Sequence, residues 1–371
     1  MSFLSLKRSY RDFDFEGFLA AVDRRKVESV LGRERLTERD FLVLLSDAAL
    51  DYLEVMAQRA SNLTRRSFGN AVVLFTPMYV SNHCDNTCVY CSFARNNRIA
   101  RRQLSVDEIR KEAENIRETG MRHILLLTGE SRLKAGVEYL KACIDILKEY
   151  FSSIAVEVYP LTEREYGLVN DAGADSLTIY QEVYDEDVYR RLHGGGPKSD
   201  YEFRIGAPER ACGQAMHAVT IGALLGLQDF RIESFYTALH LKYLQDTWPA
   251  VEVGVSLPRI RPLVKGFTVE HPVEDRRLVQ LLTAFRLFAP TAGITLSTRE
   301  DARLRDRLVP LGVTKMSAGV STAVGGHSGT PTAAQFEIAD RRTVGQIRQR
   351  LLSLGFQPVM HDWSHLLAAG R

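Results

Sequence analysis

No stretch of this chain stays apolar for long. Runs such as Ile124 to Leu127 and Val219 to Leu227 fall far short of the ~18 residues that a membrane-spanning helix needs, so no membrane association is expected. Neither sign of charge is in excess: 48 Lys and Arg face 46 Asp and Glu, for a formal net charge of +2. No block of like charge forms a nucleic-acid-binding tail, so no nucleic-acid partner is expected. Glycine and proline number 26 and 12 in 371 residues, too few for collagen or Pro/Gly-rich disorder, while 45% hydrophobic residues can fill a large core. The N-terminus, Met1 to Arg8, turns charged before the apolar region of a signal peptide can develop, so a cytoplasmic location is expected. Cysteine is scarce and odd in number at five, which excludes a disulfide framework in practice. Cys143 and Cys212 fall in predicted helices and read as small buried hydrophobes. The other three, Cys84, Cys88 and Cys91, crowd into one short stretch.

The hydrophobic pattern divides the chain into three parts. Residues 1–70 read as an amphipathic helical extension, with Phe15, Phe18, Leu19 and Val22 on one stripe and Phe41, Leu42, Leu44 and Leu45 on another. Residues 71–319 alternate short β-branched runs with amphipathic helices. The runs are Val72 to Phe75, His123 to Leu127, Ile154 to Val158, Leu177 to Tyr180, Val219 to Leu224, Val251 to Leu257, Ile294 to Ser297 and Val313 to Ser317. Ser105 with Glu108 and Thr162 with Glu165 form capping boxes at two of the intervening helices. Eight βα units in roughly 250 residues match a (β/α)8 barrel of the TIM type. An open doubly wound sheet is the alternative, but no Gly-rich dinucleotide turn follows the first strand. Residues 320–371 read as a C-terminal extension packing on the barrel. It opens with Val324-Gly325-Gly326-His327-Ser328-Gly329, a loop with no phosphate-binding pattern and therefore read as a flexible connection.

After the first strand comes His83-Cys84-Asp85-Asn86-Thr87-Cys88-Val89-Tyr90-Cys91, with its cysteines spaced C-x3-C-x2-C. One loop so spaced can place thiolates on three corners of an iron–sulfur cube and leave the fourth iron open to a ligand. Zinc fits less well, because His83 adjoins Cys84 too closely to share one tetrahedral ion. An incidental cluster of thiols is the plainest alternative. Polar residues also fall at predicted strand C-terminal ends, where barrel active sites lie: Glu157, Gln181 and Glu182, Arg259 and Arg261, and Arg299 with Glu300. Each alone could be a solvated loop charge; their joint placement points to a site. Arg299 is expected to grip a substrate carboxylate with its planar fork, the competing reading being a surface Arg paired to Glu300 or Asp301. Tyr79, five residues before Cys84, could approach the same substrate.

The cysteine motif, with the aromatic Tyr90 directly before its third cysteine, resembles the radical S-adenosylmethionine (SAM) superfamily. The resemblance implies one 4Fe-4S cluster on Cys84, Cys88 and Cys91, with SAM chelating the open iron and cleaved on reduction to a 5′-deoxyadenosyl radical. Thr128-Gly129-Glu130 looks like the family segment that meets the SAM amino group. Further segments are similar to the aromatic amino-acid lyase branch, and most of all to the tyrosine lyases of bacterial thiazole biosynthesis. These are Asn82 to Phe93, Glu157 to Leu161, Tyr180 to Tyr184, Ile221 to Leu227, Leu257 to Pro262, Leu296 to Glu300, Gln335 to Glu337, Asp340 to Arg342 and Gln357 to Trp363. The implied reaction cleaves the Cα–Cβ bond of L-tyrosine to 2-iminoacetate (dehydroglycine) and p-cresol, for thiamine thiazole biosynthesis. By the same resemblance Tyr90 packs beside the adenosine, Glu157 and Glu182 face the SAM methionyl or ribose groups, Gln181 is a further cofactor-binding candidate, and Arg204 pairs with the SAM carboxylate. The implied partners are a flavodoxin- or ferredoxin-type electron donor and a thiazole synthase that consumes the imine. Hydrogenase-maturation tyrosine lyases carry further cysteines for a second cluster, and here none follows Cys212. A tryptophan lyase is the alternative within the branch, and a non-catalytic iron–sulfur electron-transfer protein the alternative outside it. Ala215, at the end of the helix before the fifth strand, departs from the branch's usual Gly, a difference expected to concern packing.

Overall fold

The computed structural model describes residues 2–264, 266–329 and 331–361. Asp362 and Trp363 of the expected C-terminal resemblance lie outside these. All eight predicted runs are strands: β1 (Ala71–Ser81), β2 (His123–Thr128), β3 (Ser153–Glu157), β4 (Ser176–Glu182), β5 (Ala218–Ala223), β6 (Glu252–Ser256), β7 (Gly293–Leu296) and β8 (Lys315–Ser317). Each pairs in parallel with the next, and β8 and β2 both pair with β1, so the sheet closes into the expected barrel. In β2, β3 and β6 the apolar runs bury both faces, as a parallel sheet covered by helices requires, while β4 and β7 alternate buried with half-buried positions. Both anticipated capping boxes are formed, at helices Val106–Glu118 and Glu163–Ala172. Each box satisfies otherwise orphaned N–H groups and fixes where its helix begins. Among the described residues no helix is long and apolar enough to cross a membrane.

A ninth strand, β9 (Gln357–Val359), was not legible in the sequence. It pairs with Ala71–Val73, below the stretch Thr76–Ser81 that pairs with β2, so both use the same edge of the 11-residue β1 in succession. Pro358 argues against a strand because it lacks an N–H, but β9 ends the sheet order and its outer edge needs no donor. The loop Val324–Gly329 is not the flexible connection expected. Val324 is fully buried, and the His327 N–H donates to both carboxylate oxygens of buried Glu112, each at 3.1 Å. The His327 ring lies 3.0 Å from the Pro77 carbonyl, and Asn115 donates to the His327 carbonyl at 2.9 Å. The glycines supply the turns, with Gly325 and Gly329 at φ 72° and 88°. Farther on, Asp340 forms a fully buried ion pair with Arg305, which also donates to the Ser317 carbonyl at 2.6 Å. The C-terminal segment is thereby tied to the end of β8.

The N-terminal residues are helical as expected and pack on the barrel's outer helices. Phe3 stacks on His240 of helix Phe230–Thr247, and Phe41 lies against Phe285 and Phe288 of helix Asp275–Phe288. Cys143 and Cys212 are buried in helices Val137–Leu147 and Ala207–Gly213, as their structural reading required. Ala215 corrects an expectation: its φ is +57°, so the departure from Gly concerns the backbone. A Cβ in this left-handed region crowds the following carbonyl. Replacing Ala215 with Gly is therefore expected to stabilise the protein by about 1 kcal/mol, the relief of that strain outweighing glycine's unfolded-state entropy, read as a rise in the urea midpoint.

Candidate active site

The C-terminal ends of the strands converge on a cavity beneath the cysteine loop. The loop leaves β1 through an irregularity between Tyr79 and Ser81 and is held by backbone and side-chain bonds from three directions. Arg101 donates to the carbonyls of Asn82, Phe93 and Ala94, each at 2.7 Å. The Asp85 N–H donates to the Glu130 carbonyl at 2.8 Å, and the Asn86 amide donates to the Glu130 carboxylate at 2.7 Å. On the other side the Lys198 N–H donates to Asn86 Oδ1 at 2.8 Å. Two glycines make these approaches possible. A Cβ on Gly129 would lie 2.3 Å from the His83 carbonyl oxygen, and one on Gly196, at φ +90°, 2.5 Å from Asn86 Oδ1.

Cys84, Cys88 and Cys91 line one cavity of about 100 Å³ together with Thr128, Gly129 and Glu130. A second space of about 90 Å³ adjoins it, walled by Tyr90, Arg261, Arg299 and Phe336. Cys91, Glu157, Tyr180, Glu182, Lys198 and Gln335 line both. Burial pushes the Cys88 thiol up to about 12 and raises Cys91 as well. These thiols favour the protonated form until a cation compensates the thiolate. Among the described residues no three or more His, Cys, Asp or Glu side chains are gathered to hold a single metal ion. Three thiols lining one cavity suit a cluster, in which each sulfur binds a different iron. The buried Thr128 hydroxyl, on the same wall, has no hydrogen-bond partner among the described residues.

The charges within the cavity are arranged unequally. Glu182 follows an irregularity in β4, where Tyr180 pairs with Gly222 and Glu182 with Ala223, leaving Gln181 extra. Its φ of +69° is strained for a residue with a side chain, and two cations hold it there. Lys198 Nζ lies 2.7 Å from the carboxylate and Arg204 3.5 Å from it, while Arg204 also donates to the Tyr180 carbonyl at 2.8 Å. Burial alone would raise the Glu182 pKa, but Lys198 and Arg204 together keep it below the ordinary value. Glu157, at the end of β3, is different. No hydrogen bond or ion pair reaches its carboxyl among the described residues, and burial raises its pKa to about 7 despite the opposing pull of Arg299. Arg299 is likewise without an ion pair among the described residues, its guanidinium 3.5 Å above the Phe336 ring centre. Its two suggested surface partners are engaged elsewhere: Glu300 with Arg259 and Arg261, and Asp301 capping helix Ala302–Leu308.

Most of the expected site residues meet in these two spaces, but Gln181, Tyr79, Arg259 and Glu300 do not line them. Gln181 is the extra residue of the β4 irregularity; its side chain is buried and reaches the Val183 carbonyl at 3.5 Å. Tyr79 is buried behind the wall and donates to Gln335 Oε1 at 2.7 Å. Arg259 fastens its loop to Glu300 and to the Val273 carbonyl and is absent from the lining. Lys198 and His193 were missed. His193 lies 2.8 Å from the Tyr90 hydroxyl through Nε2 and 2.8 Å from the Tyr189 carbonyl through Nδ1, which fixes the aromatic beside the third cysteine. The available signal was the Gly194-Gly195-Gly196 run between them, a mark of close backbone approach.

Comparison with known proteins agrees with this geometry. The Radical SAM superfamily model matches residues 78–239, and the Biotin and Thiamin Synthesis associated domain model matches residues 256–357. The 2-iminoacetate synthase of Escherichia coli (strain K12) is 41% identical over 363 residues, 96% of either chain. The chain belongs to the radical SAM superfamily, in the 2-iminoacetate synthase family. The Salmonella typhimurium member of that family is 38% identical over 92% of this chain and 91% of its own. Among solved structures, the FeFe-hydrogenase maturase HydG from Carboxydothermus hydrogenoformans superposes with a TM-score of 0.85 at 31% identity, over 98% of this chain and 84% of that one. Methylornithine synthase (PylB) shares the fold, with a TM-score of 0.70 at 23% identity, over 90% of this chain and 97% of that one. Membership of the radical SAM superfamily implies a 4Fe-4S cluster and SAM.

The isolation of Glu157 has a measurable consequence. Its folded-state pKa of about 7 exceeds the ordinary 4.5, so the folded ligand-free chain holds a proton that the unfolded chain releases between those values. Its contribution to stability therefore falls as pH rises through that window. Glu157→Gln should gain thermal stability relative to wild type from pH 4.5 to pH 7, with a constant difference above; an equal difference at all pH values would show that Glu157 is not the titrating group.

Proposed function

We propose that this protein is a radical SAM lyase that cleaves the Cα–Cβ bond of L-tyrosine, giving 2-iminoacetate and p-cresol with 5′-deoxyadenosine and methionine. The 41% identity to the Escherichia coli 2-iminoacetate synthase over 96% of the chain carries this reading. The cavity supports it from the residues upward. Cys84, Cys88 and Cys91 hold the 4Fe-4S cluster. When bound, the cluster and SAM supply a carbon-centred radical able to take a hydrogen from the substrate.

The remaining roles belong to side chains of the chain itself. Thr128, Gly129 and Glu130 meet the SAM amine, and Tyr90, fixed by His193, packs beside the adenosine. Glu182, Lys198 and Arg204 together carry one net positive charge, which suits the SAM carboxylate. Arg299 and Glu157 have no ion pair among the described residues, and they offer one cation and one anion to a zwitterionic amino acid. Arg299 takes its carboxylate. Glu157 accepts a hydrogen bond from its ammonium group, a cation that favours the ionised carboxylate. Tyr79 orients Gln335, which lines both spaces. The closed barrel keeps water from the reacting carbon. A flavodoxin- or ferredoxin-type protein serves as reductant, and a thiazole synthase takes up the imine.

Replacing any of Cys84, Cys88 or Cys91 with Ala should abolish both the cluster absorbance and SAM cleavage after anaerobic reconstitution with dithionite, whereas Ala at Cys143 or Cys212 should preserve both. Arg299→Ala should still cleave SAM but yield little p-cresol per 5′-deoxyadenosine. Arg299→Lys should fall between, because it keeps the charge and loses the fork. A wild-type p-cresol ratio in Arg299→Ala would remove Arg299 from the site.

A further inference from the structure

Glu182 has two cations, and the nearer of them is built into the support of the cysteine loop. Lys198 sits in the short turn Pro197–Ser199, directly after Gly194-Gly195-Gly196. The residues before it lie along the loop: the Thr87 N–H donates to the Gly195 carbonyl at 3.0 Å and the Val89 N–H to the Leu192 carbonyl at 3.2 Å. Lys198 itself is fixed at three points. Its N–H donates to Asn86 Oδ1 at 2.8 Å, its carbonyl accepts from the Tyr189 hydroxyl at 2.6 Å, and its ammonium lies 2.7 Å from the Glu182 carboxylate. The side chain is only 11% exposed, so water screens its charge weakly. The ammonium lies 5.9 Å from the Tyr90 ring centre, and Lys198 lines both spaces of the cavity together with Cys91. At the Cys88 and Cys91 thiols alike, the attraction of Lys198 outweighs the repulsion of Glu182. Pairing with Glu182 therefore does not cancel the field of Lys198 at these cysteines. Arg204 is turned to the Tyr180 carbonyl.

We infer that Lys198 sets the reduction potential of the group held by Cys84, Cys88 and Cys91, its fixed charge favouring the reduced form. The inference rests on the reading of those cysteines as ligands of a 4Fe-4S cluster. A cube held by thiolates carries a net negative charge that grows by one unit when it takes up an electron. A cation fixed beside it stabilises the reduced state more than the oxidised one and raises the potential. This effect is present before SAM binds, which separates it from any contact between Lys198 and SAM.

The test uses the anaerobically reconstituted holoenzyme without SAM, reduced stepwise with titanium(III) citrate, each titanium giving up one electron, and followed by electron paramagnetic resonance of the reduced cluster. In Lys198→Met, which keeps the stem and loses the charge, the ratio of reduced to oxidised cluster at a given potential should fall about tenfold, a midpoint about 59 mV more negative for one electron. Lys198→Arg keeps the charge and should recover most of that shift. Glu182→Gln removes the opposing charge and should move the midpoint the other way. An unchanged midpoint in Lys198→Met, or the same shift in Lys198→Arg, overturns the inference. If Lys198→Met loads no iron, Glu182→Gln decides: a more positive midpoint supports the inference, and an unchanged one overturns it. The expected shift in Lys198→Met, with no p-cresol from wild type and tyrosine, supports the inference and sinks the lyase reading. A wild type that binds no cluster overturns both.

Discussion

A carboxylate taken out of water must be matched by a cation or give up its charge, and the two half-buried glutamates of the cavity take these two courses. Glu182 is held between Lys198 and Arg204 and stays ionised. Glu157 has no such partner and is driven to about 7. Glu182, Lys198 and Arg204 thus satisfy one another's charge, whereas the Glu157 carboxyl and the Arg299 guanidinium have no ion pair among the described residues. In the proposed reading, an amino acid with one charge of each sign would pair with both.

The rest of the molecule makes that arrangement hold. Barrel closure brings the ends of β3, β4 and β7 to one face, so that Glu157, Glu182 and Arg299 meet although 142 positions separate the first from the last. The β4 irregularity and its positive φ turn Glu182 toward Lys198, at a backbone cost met by the ion pairs it forms. Asn86 joins the loop to both sides of the cavity, to Glu130 through its amide nitrogen and to Lys198 through its oxygen. The C-terminal segment closes the wall with Gln335 and Phe336, and Asp340 anchors it by the buried pair with Arg305.

What could be read in the sequence were features expressed in local order. The eight barrel strands showed as β-branched runs, two helix starts as capping boxes, and the three cysteines by their spacing. What escaped depended on contacts between distant positions or on backbone conformation. Lys198 gains its place by pairing with Glu182, itself displaced by an irregularity no composition reveals. β9 was masked by Pro358, tolerable only because its strand lies at the sheet edge. The loop around His327 looked flexible because its partner Glu112 lies 215 residues away. Ala215 looked like a packing difference because φ is not written in residue identity.

The central claim is that the cavity accepts tyrosine as the amino acid whose Cα–Cβ bond is broken. It is tested most directly by supplying the anaerobically reconstituted enzyme with equimolar L-tyrosine and L-tryptophan and following products by mass spectrometry. A site that hydrogen-bonds the phenol discriminates strongly against a side chain lacking it. The account predicts p-cresol and 2-iminoacetate, trapped as its hydrolysis product, with 5′-deoxyadenosine formation dependent on tyrosine. Formation of 3-methyl-2-indolic acid from tryptophan at a rate matching p-cresol would contradict it.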